Sequence, residues 1–164
     1  MISIQFCKET EIQASSEEVF AFHECPDALT QLIPPWENVR VVESSGSLHV
    51  GSRVVLAGKV LGVIPVRWVA EHVEYDPPNC FADIQSSGPF RSWYHRHLMI
   101  STERGTTILR DEVDYQLPMA WLGRYLGNWL VKRKLQAMFE YRHQVTKQFV
   151  EAKHLLVEPS RNRH

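Results

Sequence analysis

Gly105 does more than any other residue to restrict what this chain can become. In STERGTT, Ser101 to Thr107, it is the third residue of the connection Glu103-Arg104-Gly105, where a type I turn followed by a left-handed residue calls for glycine. That closure sets Thr102 opposite Thr106 and predicts a hairpin pairing Met99 with Leu109, His97 with Asp111, His95 with Val113 and Trp93 with Tyr115. The alternate face pairs Leu98 with Arg110, Arg96 with Glu112 and Tyr94 with Asp114. Arg96, Arg110, Glu112 and Asp114 cannot be buried together cheaply, so their face goes to water. Trp93, His95, His97, Met99, Leu109, Asp111, Val113 and Tyr115 are therefore expected to look inward. A lone buried carboxylate costs several kcal/mol, so Asp111 is expected to hydrogen-bond His97.

On the preceding strand Phe81, Asp83 and Gln85 share a face. A three-residue turn Ser87-Gly88-Pro89 would place Asp83 beside Trp93 and Phe81 beside His95, whereas a four-residue closure would shift that register by one. One strand earlier, Trp68, Ala70 and His72 are expected inward, because Arg67 and Glu71 occupy the alternate face.

Gly and Pro punctuate the chain from Val39 to Gln116 into six strand-like runs. Ahead of them residues 2 to 13 alternate as a half-buried strand. Ser15 with Glu18 forms a capping box opening a short helix, and a second short helix, DALTQLI, stops at Pro34 and Pro35. From about Ala120 to Leu155 the apolar positions 131, 135, 138, 145 and 149 follow helical spacing, with Trp121, Tyr125 and Trp129 read as core at its start. The layout is α+β: an antiparallel sheet wrapped around one long helix, with a gap left for large side chains or a ligand.

At 164 residues and 44% hydrophobic, one domain is expected over 1–155, with 156–164 a frayed tail. Eighteen Lys and Arg against 19 Asp and Glu leave a net charge of −1, which argues against nucleic acid as a partner. The triplet Lys132, Arg133 and Lys134 reads as a solvated helix face. Cys7, Cys25 and Cys80 are odd in number and unpaired by spacing, which suggests free thiols in a reducing, cytoplasmic setting. No run approaches the ~18 apolar residues of a membrane span, so integral membrane association is not expected.

Five motifs in order, ASSEEVFAFH (14–23), LIPPW (32–36), GPFRSWYHRH (88–97), DEVDYQLP (111–118) and FEYRHQ (139–144), cover nearly the whole chain. With them the sequence resembles the START-like helix-grip superfamily of birch-pollen-allergen-type proteins, polyketide cyclases and dehydratases, and coenzyme Q-binding proteins. More narrowly it is similar to the bacterial ligand-binding branch labelled SRPBCC. The resemblance implies a curved seven-stranded sheet gripping the C-terminal helix around a largely apolar cavity. Its members bind lipids, sterols, quinones or aromatic polyketides, and some catalyse cyclisation or dehydration.

Four readings of the inward face follow. As a binding site for a small hydrophobic or aromatic ligand, Trp68, Phe81, Trp93, Met99 and Tyr115 form apolar walls, while Asp83, Gln85, His95, His97 and Asp111 orient the ligand. As a cyclase- or dehydratase-type enzyme, His97 and Asp111 form an acid–base pair, with Tyr115 or His95 polarising a carbonyl. As a metal site, His95 and His97 ligate with Asp83 or Asp111. As a structural network, the polar groups satisfy one another and fix register. The first is the expectation carried forward, with no cofactor and no resident metal. His23, His49, His143 and His154 show no partner in the sequence and read as surface or helix-face residues, and the cysteines read as inert thiols.

Overall fold

The computed structural model describes residues 3–60, 64–118 and 124–157. In chain order the elements are β1 (Ile4–Ile12), α1 (Ser16–His23), α2 (Ala28–Gln31), β2 (Val39–Ser44), β3 (Arg53–Val60), β4 (Ile64–Asp76), β5 (Cys80–Ser87), β6 (Ser92–Ser101), β7 (Thr107–Gln116) and α3 (Arg124–Val157). The strands form one antiparallel sheet in the order β1-β7-β6-β5-β4-β3-β2, so the two short helices carry the chain from one edge to the other. This is the helix-grip α+β architecture expected from the sequence. Trp121 and residues 158–164 lie outside the described residues, as does the side chain of Tyr125.

Helix α1 begins where the capping box requires: the Glu18 amide donates to Ser15 Oγ (3.3 Å), and the Ser15 amide donates to the Glu18 carboxylate (2.9 Å). Helix α2 keeps only four of the seven expected residues. Asp27 offers its backbone no side-chain cap, and its carboxylate is instead taken by the Gln31 amide at 2.6 Å.

The β6–β7 hairpin has the predicted register throughout, from Ser92 opposite Gln116 to Ser101 opposite Thr107. Gly105 sits at φ +74°, and the Thr102 amide donates to the Thr106 carbonyl (2.9 Å) to close the turn. A side chain at that φ is strained by about 1–2 kcal/mol. Gly105→Ala is thus expected to lower the thermal midpoint by a few degrees, roughly 2–4 °C per kcal/mol at this chain length. An unchanged midpoint would mean the turn does not need its left-handed residue.

The β5–β6 register differs from the expectation by two residues: Asp83 lies opposite His95 and Phe81 opposite His97. The physical reason is a wider connection. Pairing ends at Ile84 opposite Tyr94, and beyond it the Gln85 side chain replaces the ladder, donating to the Phe90 carbonyl (2.8 Å) and accepting from the Phe90 amide (3.2 Å). A shift of two preserves which face each residue occupies, so Phe81, Asp83 and Gln85 keep their side of the sheet. In β4 a bulge between His72 and Glu74 lets both His72 and Tyr75 face inward. Glu74 is left outside to accept from Tyr94 Oη (2.5 Å) and Arg96 Nε (3.4 Å).

Arg96 is on the outer face as expected, although Glu74 is a closer partner than Glu112 (4.0 Å). Among the thiols, Cys80 is buried and free, and burial together with Glu74 pushes it up to about 11, which fits an inert core residue.

Helix α3 lies against the inner face, but its buried stripe is not the one read from apolar residues alone. Val131, Leu135, Phe139, His143, Thr146 and Val150 are buried, whereas Phe149 and Trp129 are exposed. The stripe turns polar at His143 and Thr146, so a search for hydrophobic residues slides to the flanking positions 138, 145 and 149. Two apolar groups result. One joins Ile12, Val19, Phe20, Phe22, Phe81, Met99 and Leu109 beneath α1, and the other joins Phe6, Trp93, Val113, Tyr115, Leu135 and Phe139.

Candidate functional site

Between the two apolar groups sits a polar cluster built from four strands and α3. Its hub is Asp111 on β7, only 3% exposed, which three imidazoles contact. His95 Nε2 lies 2.8 Å from Oδ1, His143 Nε2 lies 2.6 Å from Oδ2, and His97 Nδ1 lies 2.6 Å from Oδ1. The His97 approach is out of line for a hydrogen bond, so its expected bond to Asp111 is present as a close contact only. His143 Nδ1 is 2.9 Å from the Thr10 hydroxyl on β1. An ionised carboxylate can only accept, so His143 donates to Asp111 from Nε2.

Asp83 on β5 lies on the other side of the same two histidines. Its Oδ1 is 3.6 Å from His95 Nδ1 and 4.0 Å from His97 Nε2, both beyond hydrogen-bond length. The rings of His95 and His97 are 3.9 Å apart, and Phe81 stacks on His97 at 4.0 Å. His23 of α1 closes the far side, 5.9 Å from His97. Arg142 is half-buried nearby, its Nε donating to the Leu32 carbonyl at 3.2 Å.

The electrostatics follow from this packing. Burial opposes the charged form of Asp111, yet His97, His143 and His95 outweigh it and hold the carboxyl well below the usual carboxylate range. Burial also disfavours a charged His95, but its hydrogen bond to Asp111 and the charges of both aspartates raise it to about 9. His97 is driven the other way, to about 3, by burial and then by its neighbour His95, against the pull of Asp111. Two adjacent imidazoles are thereby split, one charged and one neutral. His72 and His23 are lowered chiefly by burial.

An aromatic wall adjoins the cluster toward the start of β6. Trp68 meets Trp93 edge-on at 4.9 Å and Phe90 at 5.4 Å, and Phe90 lies 5.0 Å from Trp93 and 5.6 Å from Tyr115. The Tyr115 hydroxyl is buried with no hydrogen-bond partner among the described residues. Two members of the polar cluster keep accessible surface although they face inward: the His97 side chain is 12% exposed and that of Asp83 is 14% exposed.

The structure thus brings Asp83, His95, His97 and Asp111 into one cluster and Trp68, Trp93 and Tyr115 into the neighbouring wall. Phe81 bridges to the first apolar group, where Met99 is buried. Both ends of the Gln85 amide are engaged by Phe90.

Sequence reasoning missed His143 and His23. His143 is 1% exposed at the centre of the site, one helical turn after Phe139 on the stripe that Val131 and Leu135 begin. That phase was the available signal. His154 pairs with Glu18 at 2.9 Å, and the His49 ring lies 4.2 Å from that of Tyr75. A groove of about 460 Å³ lies elsewhere, between Trp36, Lys59 and α3 residues Leu130, Arg133 and Ala137, and shares no lining residue with the cluster.

The family model described as polyketide cyclase / dehydrase and lipid transport matches residues 12–139. No curated protein matches the chain. Among solved structures, TTHA0849 from Thermus thermophilus superposes with TM-score 0.71 at 20% identity, covering 92% of this chain and 99% of that one. A START superfamily protein from Mycobacterium smegmatis gives 0.65 at 15% identity, with 90% and 97% covered. Norcoclaurine synthase from Thalictrum flavum, in complex with dopamine and hydroxybenzaldehyde, gives 0.66 at 13% identity, with 91% and 87% covered. At these identities the likeness is one of fold. Among the described residues, no helix is long and apolar enough to cross a membrane.

Proposed function

We propose, from the premise that the chain belongs to the polyketide cyclase / dehydrase and lipid transport family, that it binds one small hydrophobic or aromatic molecule between the inner face of the sheet and α3. The apolar part of the ligand packs on Trp68, Phe90, Trp93 and Tyr115, and its polar end meets His97 and Asp83. One observation carries this reading above the others: while His95, Asp111 and His143 are buried, His97 and Asp83 keep accessible surface, as do Trp68 and Phe90 in the adjoining aromatic wall. Few polar groups set against apolar walls are what orient a ligand within a pocket. The Tyr115 hydroxyl, buried in that wall, supplies a further polar atom for a ligand to satisfy.

The enzymatic reading takes His97 and Asp111 as an acid–base pair, with Tyr115 or His95 polarising a carbonyl. Asp111 is instead shared among three imidazoles, so binding is the function the geometry supports best. Native mass spectrometry tests it. The chain, freshly purified without detergent, is expected either to carry an organic molecule released on denaturation or to take up one equivalent of palmitic acid, a short-chain ubiquinone or emodin. A bare chain mass with no uptake of any of the three would overturn it.

A further inference from the structure

His95 and His97 present their edges in an unusual division. One nitrogen of each, Nε2 of His95 and Nδ1 of His97, is turned to the same Asp111 oxygen, at 2.8 and 2.6 Å. The other nitrogen of each, Nδ1 of His95 and Nε2 of His97, is turned to the same Asp83 oxygen, at 3.6 and 4.0 Å. The second pair of distances is too long for hydrogen bonding and too short for an intervening side chain. It is close to the spacing of donor atoms around a metal: bonds of about 2.0–2.1 Å in tetrahedral geometry put ligand atoms roughly 3.4 Å apart. One donor atom from each of Asp83, His95 and His97 lies within 4.8 Å of the other two.

The surroundings suit coordination as well. Histidines that bind metals ordinarily turn their other nitrogen to a carboxylate, which fixes the ring and raises its basicity. Asp111 stands in that position for both rings, by a hydrogen bond with His95 and by a close contact with His97, and His143, itself bonded to Thr10, in turn holds Asp111. Phe81 stacked on His97 and Phe139 edge-on to His95 at 5.1 Å limit ring rotation. His97 and Asp83 both retain accessible side-chain surface.

We propose that Asp83, His95 and His97 form a two-histidine, one-carboxylate site for a divalent transition-metal ion, with an open coordination position toward the bound small molecule. Asp111 is a positioning residue that orients both imidazoles and does not itself ligate; the His95 Nδ1 proton is released to solvent as the ion binds. The donor set of two imidazoles and one carboxylate suits zinc, and equally iron(II) or cobalt(II), rather than calcium or magnesium. An open position would let the ion polarise a carbonyl or phenolate oxygen of the ligand. The site itself does not depend on the organic ligand, so the two ideas fail separately.

Cobalt(II) and zinc(II) titrations of the tag-free, chelator-treated chain provide the test. Cobalt is read by its visible d–d absorption and zinc by displacement of that signal. One equivalent is expected, with a spectrum of four- or five-coordinate cobalt bleached by zinc. Asp83→Asn, which preserves side-chain shape and hence the fold, is expected to weaken uptake by more than about 100-fold, as is His97→Ala. Asp111→Asn should weaken it by about 10–100-fold while the spectrum keeps its form. His49→Ala, remote from the cluster, should change nothing. Uptake unaltered in Asp83→Asn and His97→Ala would overturn the site, as would no uptake by a wild-type chain that still binds the organic probes.

Discussion

Replacing Asp111 with alanine is expected to remove about 3–5 kcal/mol of stability, the loss seen when one partner of a buried ionic cluster is deleted and the others are left behind. The carboxylate is 3% exposed and is the shared contact of His95, His97 and His143, which reach it from two neighbouring positions on β6 and from α3. Without it the charge on His95, which Asp111 holds at about 9, keeps only Asp83 at 3.6 Å, and the His143 Nε2–H loses its acceptor. At this chain length the loss corresponds to roughly 6–20 °C in the thermal midpoint. Asp111→Asn keeps the shape and one acceptor oxygen, so its loss should be smaller. A loss below about 1 kcal/mol for the alanine variant would mean that Asp111 is not the hub of the cluster.

Phe139→Ala should cost a similar amount, about 3–5 kcal/mol, for a different reason. The ring is fully buried and fills the contact between α3 and the sheet, 5.3 Å from Phe6 and edge-on to His95, with the Arg142 guanidinium 5.6 Å away. Truncation would leave a cavity flanked by a charged imidazole, so collapse is hindered from that side. Phe149 stands ten residues on and is 42% exposed, although it touches Phe22 at 5.0 Å. Phe149→Ala should therefore cost less than half as much. Equal losses in chemical denaturation would contradict the phase assigned to the buried stripe of α3.

That stripe marks the limit of what the sequence discloses. Where a local rule sets geometry, the residues are readable: Gly105 dictated a turn, the turn dictated the β6–β7 pairing, and that pairing placed His97 opposite Asp111. Ser15 and Glu18 likewise announced α1. Where a side chain substitutes for backbone, the rules give less. Gln85 bonding both polar groups of Phe90 widened the β5–β6 connection and moved Asp83 from Trp93 to His95. Nothing local to β5 distinguishes those two outcomes, because both keep the same face.

The polar half of a buried stripe is harder still. His143 is inward because Asp111 awaits it from another element 32 residues away, and a pattern search rewards only apolar neighbours. The four strand members of the candidate cluster, Asp83, His95, His97 and Asp111, were consequently legible, while its helical member His143 and the second use of each histidine emerged only in three dimensions.

Binding of 8-anilino-1-naphthalenesulfonate tests the central claim most directly, since the dye fluoresces in an apolar site and is small enough to enter one. Wild type is expected to bind one equivalent. Trp68→Ala, which removes a half-buried ring 4.9 Å from Trp93 and 5.4 Å from Phe90, should weaken that binding at least about tenfold, or about 1.4 kcal/mol. Trp129→Ala, on the exposed face of α3, should leave it unchanged. Dye binding that is absent, or that responds to Trp129→Ala and not to Trp68→Ala, would contradict a ligand site between the inner face of the sheet and α3.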